Sequence, residues 1–308
     1  MRVIPAVAAT PTRQLAALRD ALEAAGVPDL PPRLQAAQDL ARAVRGLIEQ
    51  NKPDQVAGRL FEHVANEDAT AESFAELVEA TVPDYARALL VAHAERLGVA
   101  ARALDLALRR AIITSRDELV ELVRPGFDRA RDALVKAAAK LPEGDAALDV
   151  DAVVQADVGA AYMKAREAVR TLITIAHGAL PDVEPVQYEH RREPVNLPLR
   201  LLVAIVDLPD IPIKYTVGLS YYVVNQDQMP VREPYERLVR AVRADLSGRA
   251  LEQALVDVAR GAYDGARIEL ATPAQLDHRA RQATNAITTI HADNDVEARA
   301  KMAGSRVW

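Results

Sequence analysis

Apolar residues recur every three or four positions along most of this chain, and that period is helical. Leu15, Leu18 and Leu22 share one face after Pro11, until Gly26 and Pro28 close the segment. Pro31 and Pro32 open a second helix carrying Leu34, Ala37, Val44, Leu47 and Ile48. Further amphipathic segments are expected from Pro53, Thr70 and Pro83, and another carries Leu104, Leu108, Ala111 and Ile112. Ser115 followed by Glu118 has the spacing of a capping box, and Pro125 with Gly126 is expected to break or kink the helix that follows. The most regular segment begins at Asp149 or Asp151, either of which suits an N-cap. In it Val154, Val158, Ala161, Ala165, Ala168, Leu172 and Ile175 step four, three, four, three. Small residues in the middle of that seam allow two backbones to approach closely. The facing helix is expected within the same chain first, and in a second subunit otherwise.

The pattern changes near Pro181. Residues 183–230 are rich in Pro and β-branched residues, and two apolar runs there, 199–206 and 213–224, have the length of strands. Residues 207–212 between them read as a turn, so a β-hairpin is the first expectation. Pro194, Pro198, Pro209, Pro212 and Pro230 confine the strands to edges or to a small sheet. Helical spacing returns at Pro234, breaks at Ser247 and Gly248, and resumes. Thr272 and Pro273 open a last long helix whose Leu276, Ala280, Ala283, Ile287 and Ile290 repeat the four, three stepping. The fold expected is mainly α: a multi-helix bundle with a small Pro-bounded β-hairpin or sheet insert near residues 195–225. In domain terms this is a helical bundle over 1–181, an extended or β insert over 182–233, and a C-terminal helical segment over 234–308.

Composition narrows the chemistry. With 308 residues and 50% hydrophobic content the chain can bury a sizeable core, yet aromatics are 4%, so that core is built from Ala, Leu and Val. The absence of Cys excludes disulfides, thiolate metal sites and Cys nucleophiles. A net charge of −6 argues against nucleic acid as the main ligand. No run reaches the ~18 apolar residues of a membrane span, and an N-terminal stretch broken by Pro5 and Pro11 is too short for a signal sequence. No phosphate-binding glycine loop or nucleophile elbow occurs, and no two His stand four apart as metal ligands. His291, Asp293, Asn294, Asp295 and Glu297 gather one imidazole and several oxygens, but Asp and Asn there suit a helix cap. Glu143, Asp145, Asp149 and Asp151 around Gly144 read as a solvated loop.

Glu189, His190, Arg191 and Arg192 form the densest polar cluster. A His beside a carboxylate can move a proton and two Arg can hold an anion, which makes this the candidate ligand site. The candidate interface consists of Val158, Ala161, Ala165, Ala168 and Leu172 on the seam, with Tyr221 and Tyr222 on the hairpin, where neighbouring side chains point to opposite faces. No catalytic residue, metal or cofactor is assigned. The expected function is a non-enzymatic structural or assembly protein acting through helix–helix and strand-edge contacts, a component of a virion or other large particle being one form. Its expected partners are itself or other structural proteins, without a membrane, as a homo-oligomer or particle component in the cytoplasm, or in a virion if phage-encoded. Two alternatives stand beside it: a ligand-binding protein or enzyme with a site between helical body and insert, and a helical regulator that binds a partner protein.

Overall fold

The computed structural model describes residues 11–50, 99–180, 197–217, 220–223, 229–245 and 247–294, together with 62, 76, 79–80, 83–84, 86, 88–89, 92–93, 296–297 and 299–300. The helices expected from Pro53, Thr70 and Pro83 fall largely outside these residues. The fold is mainly α with a small sheet insert, as the hydrophobic pattern predicts. The chain divides into two compact units: residues 30–115 form one, and residues 1–29 with 116–308 form the other. In the first unit α2 (Pro32–Gln50) packs on α3 (Val99–Thr114) and buries Leu34, Ala41, Leu108 and Ile112.

The second unit starts from three helices: α1 (Pro11–Ala25), α4 (Arg116–Ala138) and α6 (Gly159–Ala179). Each touches the other two, and all three come close because the contact residues are small. A Cβ at Gly178 would overlap the carbonyl oxygen of Ala17 and the Cβ of Ala21, and a Cβ at Gly126 would overlap the backbone of Ala25. The Ala17, Ala21 and Ala25 ridge, spaced one per turn, therefore lies directly on the two neighbouring helices. Gly26 then ends α1 at φ +77 in a Schellman turn, with Val27 N donating to Leu22 O at 2.8 Å and Gly26 N to Glu23 O at 2.9 Å. The Arg129 guanidinium donates to Ala25 O at 2.8 Å and fixes that end to α4.

Two local expectations are corrected in α4. The break at Pro125 does not occur, and the helix continues through it. Pro125 is exposed, so solvent can satisfy the Glu121 carbonyl that loses its donor, while Gly126 faces inward and is needed for the approach of α1. The Ser115 capping box does not form: Ser115 Oγ is buried and, among the described residues, has no hydrogen-bond partner, and Ser115 N donates to Ala111 O at 3.1 Å.

The regular seam is split. Asp149 caps a short helix, α5 (Val150–Gln155), through Oδ1 to Ala152 N at 2.9 Å, and Asp157 at φ 51 turns the chain before α6 begins. Val154 is thereby left 70% exposed. From Ala165 onward the seam is closed: Ala165, Ala168, Leu172 and Ile175 are buried on a helix that packs against α1 and α4 of the same chain.

The first apolar run of the insert is α-helix and not strand. In α7 (Leu197–Ile205) every residue from Leu201 to Ile205 is buried. A short, mostly apolar run suits the centre of a helical layer as well as a sheet, and periodicity cannot separate the two. Helices α6, α8 (Met229–Ala244), α9 (Arg249–Ala259) and α10 (Pro273–Ile287) all pack on α7. Its last carbonyls are taken by backbone donors, Ile205 O by Glu269 N at 2.8 Å and Ala204 O by Ala271 N at 2.9 Å. Strand β1 (Val206–Asp207) continues from it and pairs antiparallel with β4 (Arg267–Ile268). Among the described residues no helix is long and apolar enough to cross a membrane.

If the glycines set the helix separation, Gly178→Ala is expected to lower stability by about 1–3 kcal/mol through overpacking. Gly159→Ala, where nothing lies within 4 Å, should be neutral or stabilising. Urea unfolding of the two variants checks this; equal effects at both sites would remove the close-packing explanation.

Candidate functional site

The remaining part of the insert is a three-stranded sheet in the order β3–β2–β5, formed by β2 (Lys214–Val217), β3 (Ser220–Val223) and β5 (Thr289–Ala292). The hairpin expected between runs 199–206 and 213–224, with its turn at 207–212, does not form, because the first run is α7; a hairpin forms instead within the second run, between β2 and β3. Its register pairs Tyr215 with Tyr222 and Thr216 with Tyr221. The third strand was not legible: Ile290, read as the end of a helical stripe, sits in β5 opposite Tyr215, in a parallel pairing. Thr216 Oγ1 and His291 Nδ1 meet across that pair at 2.6 Å, from positions 75 residues apart.

A buried arginine also bonds the segments that lead into β2 and β5. Arg232 lies in the first turns of α8, which starts at Met229, earlier than the Pro234 expected from spacing. Its side chain is 0% exposed. One nitrogen, Nη1, donates to Pro212 O at 2.6 Å and to Asn285 O at 2.7 Å; Nη2 donates to Thr288 O at 3.0 Å. Nε faces Glu236 at 3.3 Å. Pro212 precedes β2, and Thr288 directly precedes β5. The guanidinium fork thus spans the heads of both strands at Lys214 and Thr289, the first pair of their register. Removing it would leave three part-buried carbonyls without this donor and Glu236 with Arg240 alone, at a cost of about 1–3 kcal/mol.

A second buried arginine secures the other side of α10. Arg279 donates from Nη1 to Glu269 O at 2.7 Å, while Nε stands 3.3 Å from Asp207 and Nη2 3.4 Å from the Glu269 carboxylate. One turn on, Gln282 reads the loop before β2: its Oε1 accepts from Ile211 N at 2.9 Å and its Nε2 donates to Asp210 at 2.8 Å. Thr272 and Gln275 cap this helix reciprocally. Tyr235 Oη, on α8, donates to Asp264 O.

Burial pushes the Arg232 guanidinium below its ordinary value, and the neighbouring Glu236 partly offsets that. Arg279 shifts in the same direction by burial, opposed by Asp207 and Glu269. Burial raises the Glu236 carboxyl, but the hydrogen bond from Arg240 and the charge of Arg232 outweigh it, so its net shift is downward. Asp245, an exposed side chain that accepts from Ser247 Oγ, Ala250 N and Ser247 N, also shifts downward.

Glu189, His190, Arg191 and Arg192 lie outside the described residues. So do the side chains of Tyr221 and Tyr222, whose backbones belong to β3. Val158 and Ala161 are half-buried at the start of α6, and Ala165, Ala168 and Leu172 are buried in the bundle. The oxygens near His291 serve as a cap: Glu297 N donates to Asn294 Oδ1 and Asp293 N to Glu297 Oε2, each at 2.8 Å. Between α6 and α7, Ala176, His177, Leu180, Leu197 and Arg200 line a depression of about 20 Å³, the size of one water.

Arg232 and Arg279, which the sequence reading passed over, do carry a signal. Each occupies a stripe position among buried residues, Arg232 with Tyr235, Val239 and Val242, and Arg279 with Leu276, Ala283 and Ala286. A cation at a core-facing step of an amphipathic helix implies fixed partners. The fold and site together define a mainly helical protein bearing a small mixed sheet clipped by a buried arginine. Comparison with protein-family models, curated proteins and solved structures finds no match to this chain.

Because the Glu236 carboxyl is held below its ordinary value, its contribution to stability is complete above its unfolded value of about 4.3 and is lost as pH falls through the folded one. Wild-type protein is therefore expected to lose thermal stability as pH falls below the ordinary carboxylate range. Glu236→Gln should be less stable at neutral pH and show a flatter acid limb by circular dichroism. Superimposable pH profiles would rule out a stabilising role for the pair.

Proposed function

We propose that the protein is a non-enzymatic structural or assembly protein that joins other chains through the edges of its small sheet. The observation that carries this reading is the sheet's openness: among the described residues, β3 and β5 each pair only with β2. An edge strand offers a row of backbone donors and acceptors to a strand from another chain. Natural edges are blunted with Lys or Pro, but β3 reads Ser220, Tyr221, Tyr222, Val223, uncharged and rich in β-formers. The body behind the sheet supports the same reading, since a close-packed helical trio is a stiff platform for a projecting contact. Exposed apolar side chains on α5 and α6, Val150, Val154 and Met163, add a surface for helix contacts. The partner is a second copy or another structural protein, and a virion or other large particle is one setting for it.

Size-exclusion chromatography with light scattering on the purified chain is expected to show oligomers whose fraction rises with concentration. The double variant Tyr221→Lys with Tyr222→Lys, which places a charge on each face of the edge, should shift them to monomer while the helical circular dichroism stays the same. A wild-type protein that remains monomeric at high concentration would remove self-assembly from the reading.

A further inference from the structure

We propose that Arg232 is the latch of a sheet that opens separately from the helical body. Strands β2 and β5 run parallel and come from distant parts of the chain, so no turn holds them together. Each is four residues long, and β5 is half-buried or exposed along its described side chains. Tyr215, at 0% exposure, is the buried anchor of β2. Against this small area stand the Arg232 contacts, three carbonyl acceptors in two separate segments, closing both strand heads at once.

A planar guanidinium fork makes such contacts together or loses them together, which gives the sheet two states and not a gradual loosening. Glu236 holds the fork from its own helix and is itself held by Arg240 at 2.7 Å, so the seated position is set by a chain of three side chains on α8. With Arg232 seated, β5 covers one side of β2. With it withdrawn, β5 leaves and the second edge of β2 becomes available. The bundle of α1, α4 and α6 keeps its own glycine-mediated contacts in both states. Use of the freed edge for assembly rests on the function proposed above; the latch itself does not.

Amide hydrogen exchange by NMR on the full chain tests this at each strand. In the wild type the slowest amides of β2 and β5 should exchange at least tenfold faster than those of α4 and α6, with a smaller urea dependence, as for sub-global opening. Arg232→Met is expected to speed the sheet amides a further tenfold or more and leave the helix amides unchanged. Glu236→Gln, which keeps the shape, should do the same by about threefold, and it covers the case in which Arg232→Met does not fold. Sheet and helix amides exchanging with one rate and one urea slope in the wild type would overturn the latch, as would variants that speed both alike. If the sheet opens as expected while light scattering shows only monomer, the latch stands and the assembly reading fails.

Discussion

Two parallel strands from distant segments need something other than a turn to align them, and in this protein one buried guanidinium bonds the backbone ahead of both. Arg232 reads the carbonyls ahead of β2 and ahead of β5, so the register of the pair is set at its first residues, Lys214 and Thr289. Burying a cation is costly in itself. The cost is offset because three carbonyls in the same place also need donors, and the end of α10 supplies two of them at Asn285 and Thr288. Helix end, strand heads and arginine each leave polar groups that the others satisfy.

The rest of the second unit follows from a different economy of side chains. Gly126 and Gly178 let the alanine ridge of α1 lie on α4 and α6, and a core short of aromatics is filled by backbone proximity instead of large rings. Around α7, buried from Leu201 to Ile205, the C-terminal helices build a second layer, and α9 is tied back to the end of α4 by Arg260, which donates to Leu141 O at 3.0 Å and to Pro142 O. The sheet joins this layer through α8 and α10, the two helices that carry the buried arginines.

The helical body was legible because it depends on local periodicity and on Gly, Pro and Asp at helix ends. Gly26, Asp149, Gly248 and Thr272 all act where the sequence places them. What was missed depends on tertiary context. Residues 199–205 are helix because other helices surround them, and nothing in a run of Leu and Val declares its neighbours. Ile290 leaves the helical stripe because a strand far upstream receives it. Pro125 is tolerated because its face is exposed, and at Ser115 the backbone N–H stays with the preceding helix, so the reciprocal half of the capping box has no donor to take. Arg232 and Arg279 were readable in principle, as cations on apolar stripes, but their partners were not. Of the candidate site, a small strand insert was foreseen, while its actual strand pairing and the buried clip behind it were not.

The central claim is that the Arg232 guanidinium is fixed across both strand heads, and NMR of the arginine side chains observes it directly. A seated fork should give separate, slowly exchanging Nη–H resonances for Arg232 at neutral pH, with couplings across the hydrogen bonds to the carbonyl carbons of Pro212, Asn285 and Thr288. A single averaged Nη signal that exchanges as fast as those of exposed arginines such as Arg237 would contradict the account.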